Sequence, residues 1–179
     1  MRIGFVHLVF SGLIWLFSAP FSLAQSGAAS VSHVFRGITI VRVEGHNDHK
    51  GETHIKYLSP SMLKEDDLKR AEKYQWTEDR IKAEEANIDR FSPGGVIQLD
   101  ILRTTEAAAN PGNFTVLVVD KEGKEIMRKP LPAESYVTHR QNQFGAMAMC
   151  TINRKIEGSF LVIVIDNHDK KEYKFEVIP

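Results

Sequence analysis

Apolar and polar residues alternate with a period of two over much of the second half of this chain, the pattern of strands with one buried face. From Val96 to Arg103 the alternation puts Ile97, Leu99 and Ile101 inward and Gln98 and Asp100 outward. Phe114 to Val119, Phe144 to Ile152, Phe160 to Ile165 and Glu172 to Ile178 read as further strands, with Glu125 to Lys129 between the first two. Asp120-Lys121-Glu122-Gly123 and Asn167 to Lys171 have the spacing of hairpin turns, and Gly123 suits a left-handed position. Pro130 to Gln143 reads as a long polar connection. Nearer the start, Val34 to Glu44 is β-branched and apolar, with Ile38 and Ile40 on one face and Val41 and Val43 on the other. A polar loop, Gly45 to Gly51, separates it from a short strand, Thr53 to Leu58.

One segment breaks this rhythm. Ser59 is a good N-cap and Pro60 fits the first helical position, where its missing N–H costs nothing. Glu65, Asp66 and Asp67 place acid near the positive end of the helix dipole. Residues 61–90 are rich in Glu, Lys, Ala and Arg, with four-residue pairs Glu65/Lys69, Asp66/Arg70 and Glu78/Lys82. The apolar stripe is thin: Leu68, Ala71 and Tyr74, then Ile81 and Ile88. Thr77, followed by Glu78 and Asp79, can cap a second helix, so one helix or two are both open, and Ser92-Pro93-Gly94-Gly95 ends the run.

About eight strands with turn signals between them predict a mainly β protein, an antiparallel β-sandwich of immunoglobulin-like or related topology. Because Phe114–Val119 and Phe160–Ile165 are apolar on both faces, something must shield their outer side. The helical insertion, residues 60–91, is the expected cover of one face. The alternative is an α+β fold, one antiparallel sheet with a single helical layer.

The first two dozen residues stand apart. Arg2, an apolar run from Ile3 to Phe17, Pro20, and small residues Ser22 and Ala24 ahead of Gln25 have the three-part layout of a secretory signal peptide. The expected organisation is a signal peptide over 1–24, a flexible start over 25–33 and a single sandwich domain over 34–179. Such a leader implies export, with no membrane insertion once it is removed. Cys150 is the only cysteine, so no intrachain disulfide is available. An exported domain without disulfides favours a bacterial periplasmic or secreted protein. Without Arg2 the charge is near balance, and no basic field exists to attract nucleic acid.

Three clusters invite chemistry. Gly45 to His54 gathers His46, His49 and His54 with Asp48 and Glu52. Imidazoles with a carboxylate suit Zn²⁺ or Cu²⁺, although the spacing matches no strict metal motif and also fits a solvated loop. Met147-Ala148-Met149-Cys150 offers soft ligands for Cu(I). In a strand, however, the two methionines share one face and the thiol takes the other, so core packing explains them better. Asp166-Asn167-His168-Asp169 reads as a hairpin tip. No catalytic elbow, zinc-protease pair, phosphate loop or dinucleotide fingerprint occurs, which argues against an enzyme. Tyr74 is expected to anchor the helix to the sheet, leaving Trp76 and Tyr136 as aromatic contacts for a partner. The leading expectation is an exported, non-catalytic module that binds a protein or glycan or serves the cell envelope. The alternative is a transition-metal protein built on His46, His49 and His54.

Overall fold

The computed structural model describes residues 32–133, 137–140 and 142–179. The expected signal peptide and Tyr136 lie outside them. Among the described residues, ten strands form two antiparallel sheets, and three α-helices accompany them. The strands are β1 (Ser32–Phe35), β2 (Ile38–Glu44), β3 (Gly51–Leu58), β4 (Val96–Arg103), β5 (Phe114–Asp120), β6 (Glu125–Pro130), β7 (Val137–Arg140), β8 (Gln143–Thr151), β9 (Phe160–Asp166) and β10 (Lys171–Ile178). The helices are α1 (Pro60–Tyr74), α2 (Glu78–Phe91) and the short α3 (Glu106–Ala109). The larger sheet has the order β1-β2-β10-β9-β5-β6 and the smaller β3-β4-β8-β7. The chain visits the two sheets alternately, one antiparallel pair at a time: β1–β2, β5–β6 and β9–β10 in one, β3–β4 and β7–β8 in the other. This is a mainly β sandwich with a helical insertion between β3 and β4.

Period-two patterning fills the space between the sheets. Ile38 and Ile40 of β2, Phe114, Val116 and Val118 of β5, Phe160, Val162 and Val164 of β9, and Tyr173, Phe175 and Val177 of β10 face Ile55, Ile97, Leu99, Ile101, Ala146, Ala148 and Cys150 of the smaller sheet. Residues opposite one another in register share a face, so the same parity runs across every strand.

Two strands escape the sequence pattern. Val34 to Glu44 is a hairpin, folded at Arg36-Gly37 with φ of 49° and 83°. Both central residues at positive φ define a two-residue turn that matches strand twist, and arginine at the first of them hides the signal. Likewise, β7 interrupts the expected long connection, pairing Val137–Arg140 with Gln143–Ala146.

The helical segment is two helices. Ser59 Oγ accepts from the Met62 N–H at 3.3 Å, and Thr77 Oγ1 accepts from the Arg80 N–H at 3.4 Å. Between them Gln75 adopts a left-handed C-cap, φ 51°, and the Trp76 N–H reaches back to Ala71 O at 2.9 Å. Glu65, Asp66 and Asp67 fall after the first turn and engage sideways. Arg36, at the β1–β2 turn, binds Glu65 and Asp66, while Lys69 reaches Glu65 at 2.6 Å and Arg70 reaches Asp67 at 3.1 Å. These bonds raise the Arg36 guanidinium pKa and lower that of Glu65, whose largest influence is Lys69.

The cover expected from this insertion takes a different form. It joins the core through Met62 alone; the only other buried residue of α1 is Ala71, and α2 buries none. Tyr74, expected as an anchor, is exposed. On the outer side of β9, Leu161, Ile163 and Ile165 are half-buried. They lie in rows with Leu117, Val119, Lys174, Glu176 and Glu172. The alkyl stems of long charged neighbours can shelter such an apolar strip without a helix.

Candidate functional site

Polar side chains collect at the end of the sandwich where β2, β4 and β9 finish and the turns to β3, β5 and β10 begin. At its heart lies an ion pair fully shut off from water. Arg103 Nη2 donates to Asp166 Oδ2 at 2.8 Å, with the two side chains 1% and 0% exposed. Arg103 also donates to Thr53 Oγ1 at 2.9 Å, to Glu52 O at 2.7 Å and to Leu102 O at 2.8 Å. The other Asp166 oxygen accepts from the His168 and Asp169 N–H groups, both at 3.0 Å. Asp166 therefore ties the β9–β10 turn to a guanidinium on the opposite sheet. The guanidinium sits 5.1 Å from the Phe114 ring centroid and 5.9 Å from that of Tyr173. Arg42, beside it, donates to Thr53 O and lies 5.1 Å from the Phe175 ring centroid. Desolvation lowers the pKa of Arg42.

These groups are fully committed to one another: among the described residues, no buried side-chain nitrogen or oxygen lacks a hydrogen-bond partner. Such an arrangement locks the two sheets together.

The histidine loop lies at the same end. Asp48 Oδ1 accepts from the Lys50 N–H at 2.9 Å, and Oδ2 pairs with Lys171 Nζ at 2.6 Å. The Lys171 bond is the main reason the Asp48 carboxyl is held well below the usual carboxylate range, and it raises the lysine in return. Asn47 Oδ1 accepts from the Thr53 N–H at 2.9 Å, pinning the loop to the start of β3. His46, His49 and His54 are exposed. His54 Nε2 lies 3.0 Å from Glu52 Oε2 and 3.3 Å from Asn47 Nδ2. The structure brings His54 and Glu52 together on one strand face and commits Asp48 to Lys171. No three His, Cys, Asp or Glu side chains converge as a ligand set among the described residues.

Cys150 faces inward, as the strand parity requires, and is buried, with Sγ 4.0 Å from Met127 Sδ. Burial raises its thiol pKa. Alkylation of the native protein by iodoacetamide at neutral pH is therefore expected to be at least ~100-fold slower than in denaturant; comparable rates would contradict this packing. Met147 and Met149, expected as core filler, are instead exposed on the outer face of β8. The core between the sheets is already filled from the other side of that strand. The Asp166–Asp169 turn behaves as the tip expected of it.

At the far end, the α1–α2 hairpin carries a shallow groove lined by Lys64, Leu68, Trp76, Ile81 and Glu85. Trp76 is half-buried there, with the Arg80 guanidinium 4.0 Å from its ring centroid. Leu68, in the groove, is 48% exposed, while Tyr74 at the end of α1 and Phe91 at the end of α2 are 62% and 55% exposed.

Fold and surface together define a two-sheet β-sandwich bearing a helical arm, with a polar end locked by a buried ion pair. No protein-family model, curated protein or solved structure matches the chain. Among the described residues, no helix is long and apolar enough to cross a membrane.

Proposed function

We propose that this protein is an exported, non-catalytic binding module whose α1–α2 arm contacts a protein or glycan partner. The observation that carries the reading is the arm itself. A fourteen-residue helix that buries no side chain, α2, is held by caps and by its neighbour helix. On the arm, Trp76 and Leu68 line a shallow groove with charged residues at its rim, and Tyr74 and Phe91 add exposed rings at the ends of α1 and α2. Aromatic groups rimmed by charge are the usual composition of recognition surfaces.

The test is site-specific photocrosslinking in cells, with the reactive group at Tyr74 or Phe91 and, for comparison, at Glu176 on the outer sheet face. Adducts are expected from the arm positions only, to be lost in Trp76→Ala, on a protein whose amino terminus is Gln25. Equal labelling at Glu176, or an uncut leader, would overturn the proposal.

A second reading, transition-metal binding at the Gly45–His54 loop, draws support from His54 and Glu52, whose side chains meet at 3.0 Å on the surface.

A further inference from the structure

The water-facing side of the smaller sheet carries a feature that packing does not explain. Met147 and Met149 are 57% and 54% exposed, on a face that also carries Glu52, His54, Lys56, Gln98 and Asp100, with Leu102 at one end and Val96 and Leu58 at the other. Two adjacent thioethers in water forgo the burial that makes methionine useful in a core.

Register places them beside an imidazole. Met147 lies opposite Asp100, and Asp100 lies opposite His54, so His54 and Met147 occupy one row across three strands. Met149 lies in the next row, opposite Gln98. Residues i and i+2 of a strand are about 6.6–6.8 Å apart at Cα, and second-neighbour strands about 9.5 Å apart. Side chains as long as methionine and histidine, standing on the same face, can close both gaps above the sheet. The residue between them is acidic. Asp100 is held by Lys56 Nζ at 3.3 Å and by Gln98 Nε2 at 2.9 Å, so its charge lies beneath the row. His54 is exposed and restrained only by Glu52 and Asn47, so its ring can turn toward β8.

We propose that Met147, Met149 and His54 bind one soft monovalent cation, Cu(I) or Ag(I), on this face. Two neutral thioethers and a neutral imidazole suit such ions and are poor ligands for Mg²⁺ or Ca²⁺. Coordination leaves the oxidation state unchanged and displaces water together with the contacts of His54 Nε2 to Glu52 and Asn47. This ligand set shares only His54 with the loop cluster of His46, His49 and His54, and nothing with the helical arm.

The experiment titrates Ag(I) into the purified protein under chloride- and thiol-free conditions, following methionine methyl signals by NMR. Cu(I) affinity is measured in parallel against a chromogenic chelator. One equivalent is expected to bind, moving the Met147 and Met149 methyls. Affinity is expected to fall at least ~100-fold in Met147→Leu/Met149→Leu, and about 10-fold in His54→Gln. His46→Ala/His49→Ala and Cys150→Ala are expected to bind as the parent does. Leucine preserves shape at exposed positions, so circular dichroism of the double variant is expected to match the parent. No saturable binding, unchanged binding in the double leucine variant, or loss in His46→Ala/His49→Ala or Cys150→Ala would each overturn the site. If the methionine pair serves instead as an apolar contact for a macromolecule, the titration shows no methyl shifts at one equivalent.

Discussion

Replacing Asp166 by alanine is expected to destabilise the fold by about 3–5 kcal/mol, the usual cost of orphaning one member of a buried ion pair. The carboxylate has no exposure to water, so Arg103 would keep its charge in a site with its only anion removed. The loss extends to the turn, because Asp166 also receives the His168 and Asp169 N–H groups. Arg103→Met is expected to be equally damaging for the converse reason: it strands a carboxylate and releases Thr53 Oγ1 and the Glu52 and Leu102 carbonyls. Urea unfolding followed by tryptophan fluorescence reads both as a lowered midpoint at an unchanged slope. The double variant Arg103→Met/Asp166→Leu is expected to recover part of the loss, since an apolar pair of similar volume leaves no charge behind. A loss below about 1 kcal/mol for Asp166→Ala would contradict the burial on which this rests.

Phe160→Ala is expected to cost a similar amount, about 3–5 kcal/mol, through lost transfer energy and the cavity left behind. Phe160 is buried at the start of β9, edge-on to Tyr57 with ring centroids 5.1 Å apart. Tyr57 is itself fixed, its hydroxyl donating to Gly94 O at 2.9 Å, so it cannot move in to fill the void. Its neighbour Leu161 points to the outer, half-buried face. Leu161→Ala is expected to cost about 1 kcal/mol, in keeping with surface that is only partly removed from water. Thermal unfolding of the two alanine variants side by side checks the parity of β9. A larger loss for Leu161 would mean that the strand had been assigned to the wrong face.

Parity also marks how far sequence reading could go. The inward set Ile97, Leu99, Ile101 continues to Arg103; Phe160, Val162, Val164 continues to Asp166; and Ile38, Ile40 continues to Arg42. Extending each alternation by one step turns a charged residue inward: Arg103 and Asp166 are fully buried and pair across the sheets, and Arg42 is half-buried. The period was legible, but the chemistry of these side chains argues for water until a partner of opposite charge is known to face them. The helix caps at Ser59 and Thr77 and the turn at Gly123 were legible because each depends on a few neighbouring residues. The Arg36-Gly37 turn was not, since arginine carries no propensity for a left-handed conformation. The histidine loop was legible only as a cluster along the chain. Closeness along the chain does not make ligands converge, because residues in a loop and on a strand point in directions set by separate hydrogen bonds. Alternation puts the methionines on the face away from Cys150 but does not show that this face meets water, and only the pairing of three strands puts His54 in their row.

The alternation of strand pairs between the two sheets has a consequence for how the chain folds. The β2–β10 pairing sets Ile40 beside Val177 and Thr39 beside Ile178, joining the two extremes of the domain. Each neighbouring pair can form early from local contacts, but this seam must wait for the final eight-residue strand. High separation along the chain slows such closure. Until Lys171–Ile178 is available, β2 keeps an open edge, so a growing or shortened chain remains unsealed and prone to pair with another molecule.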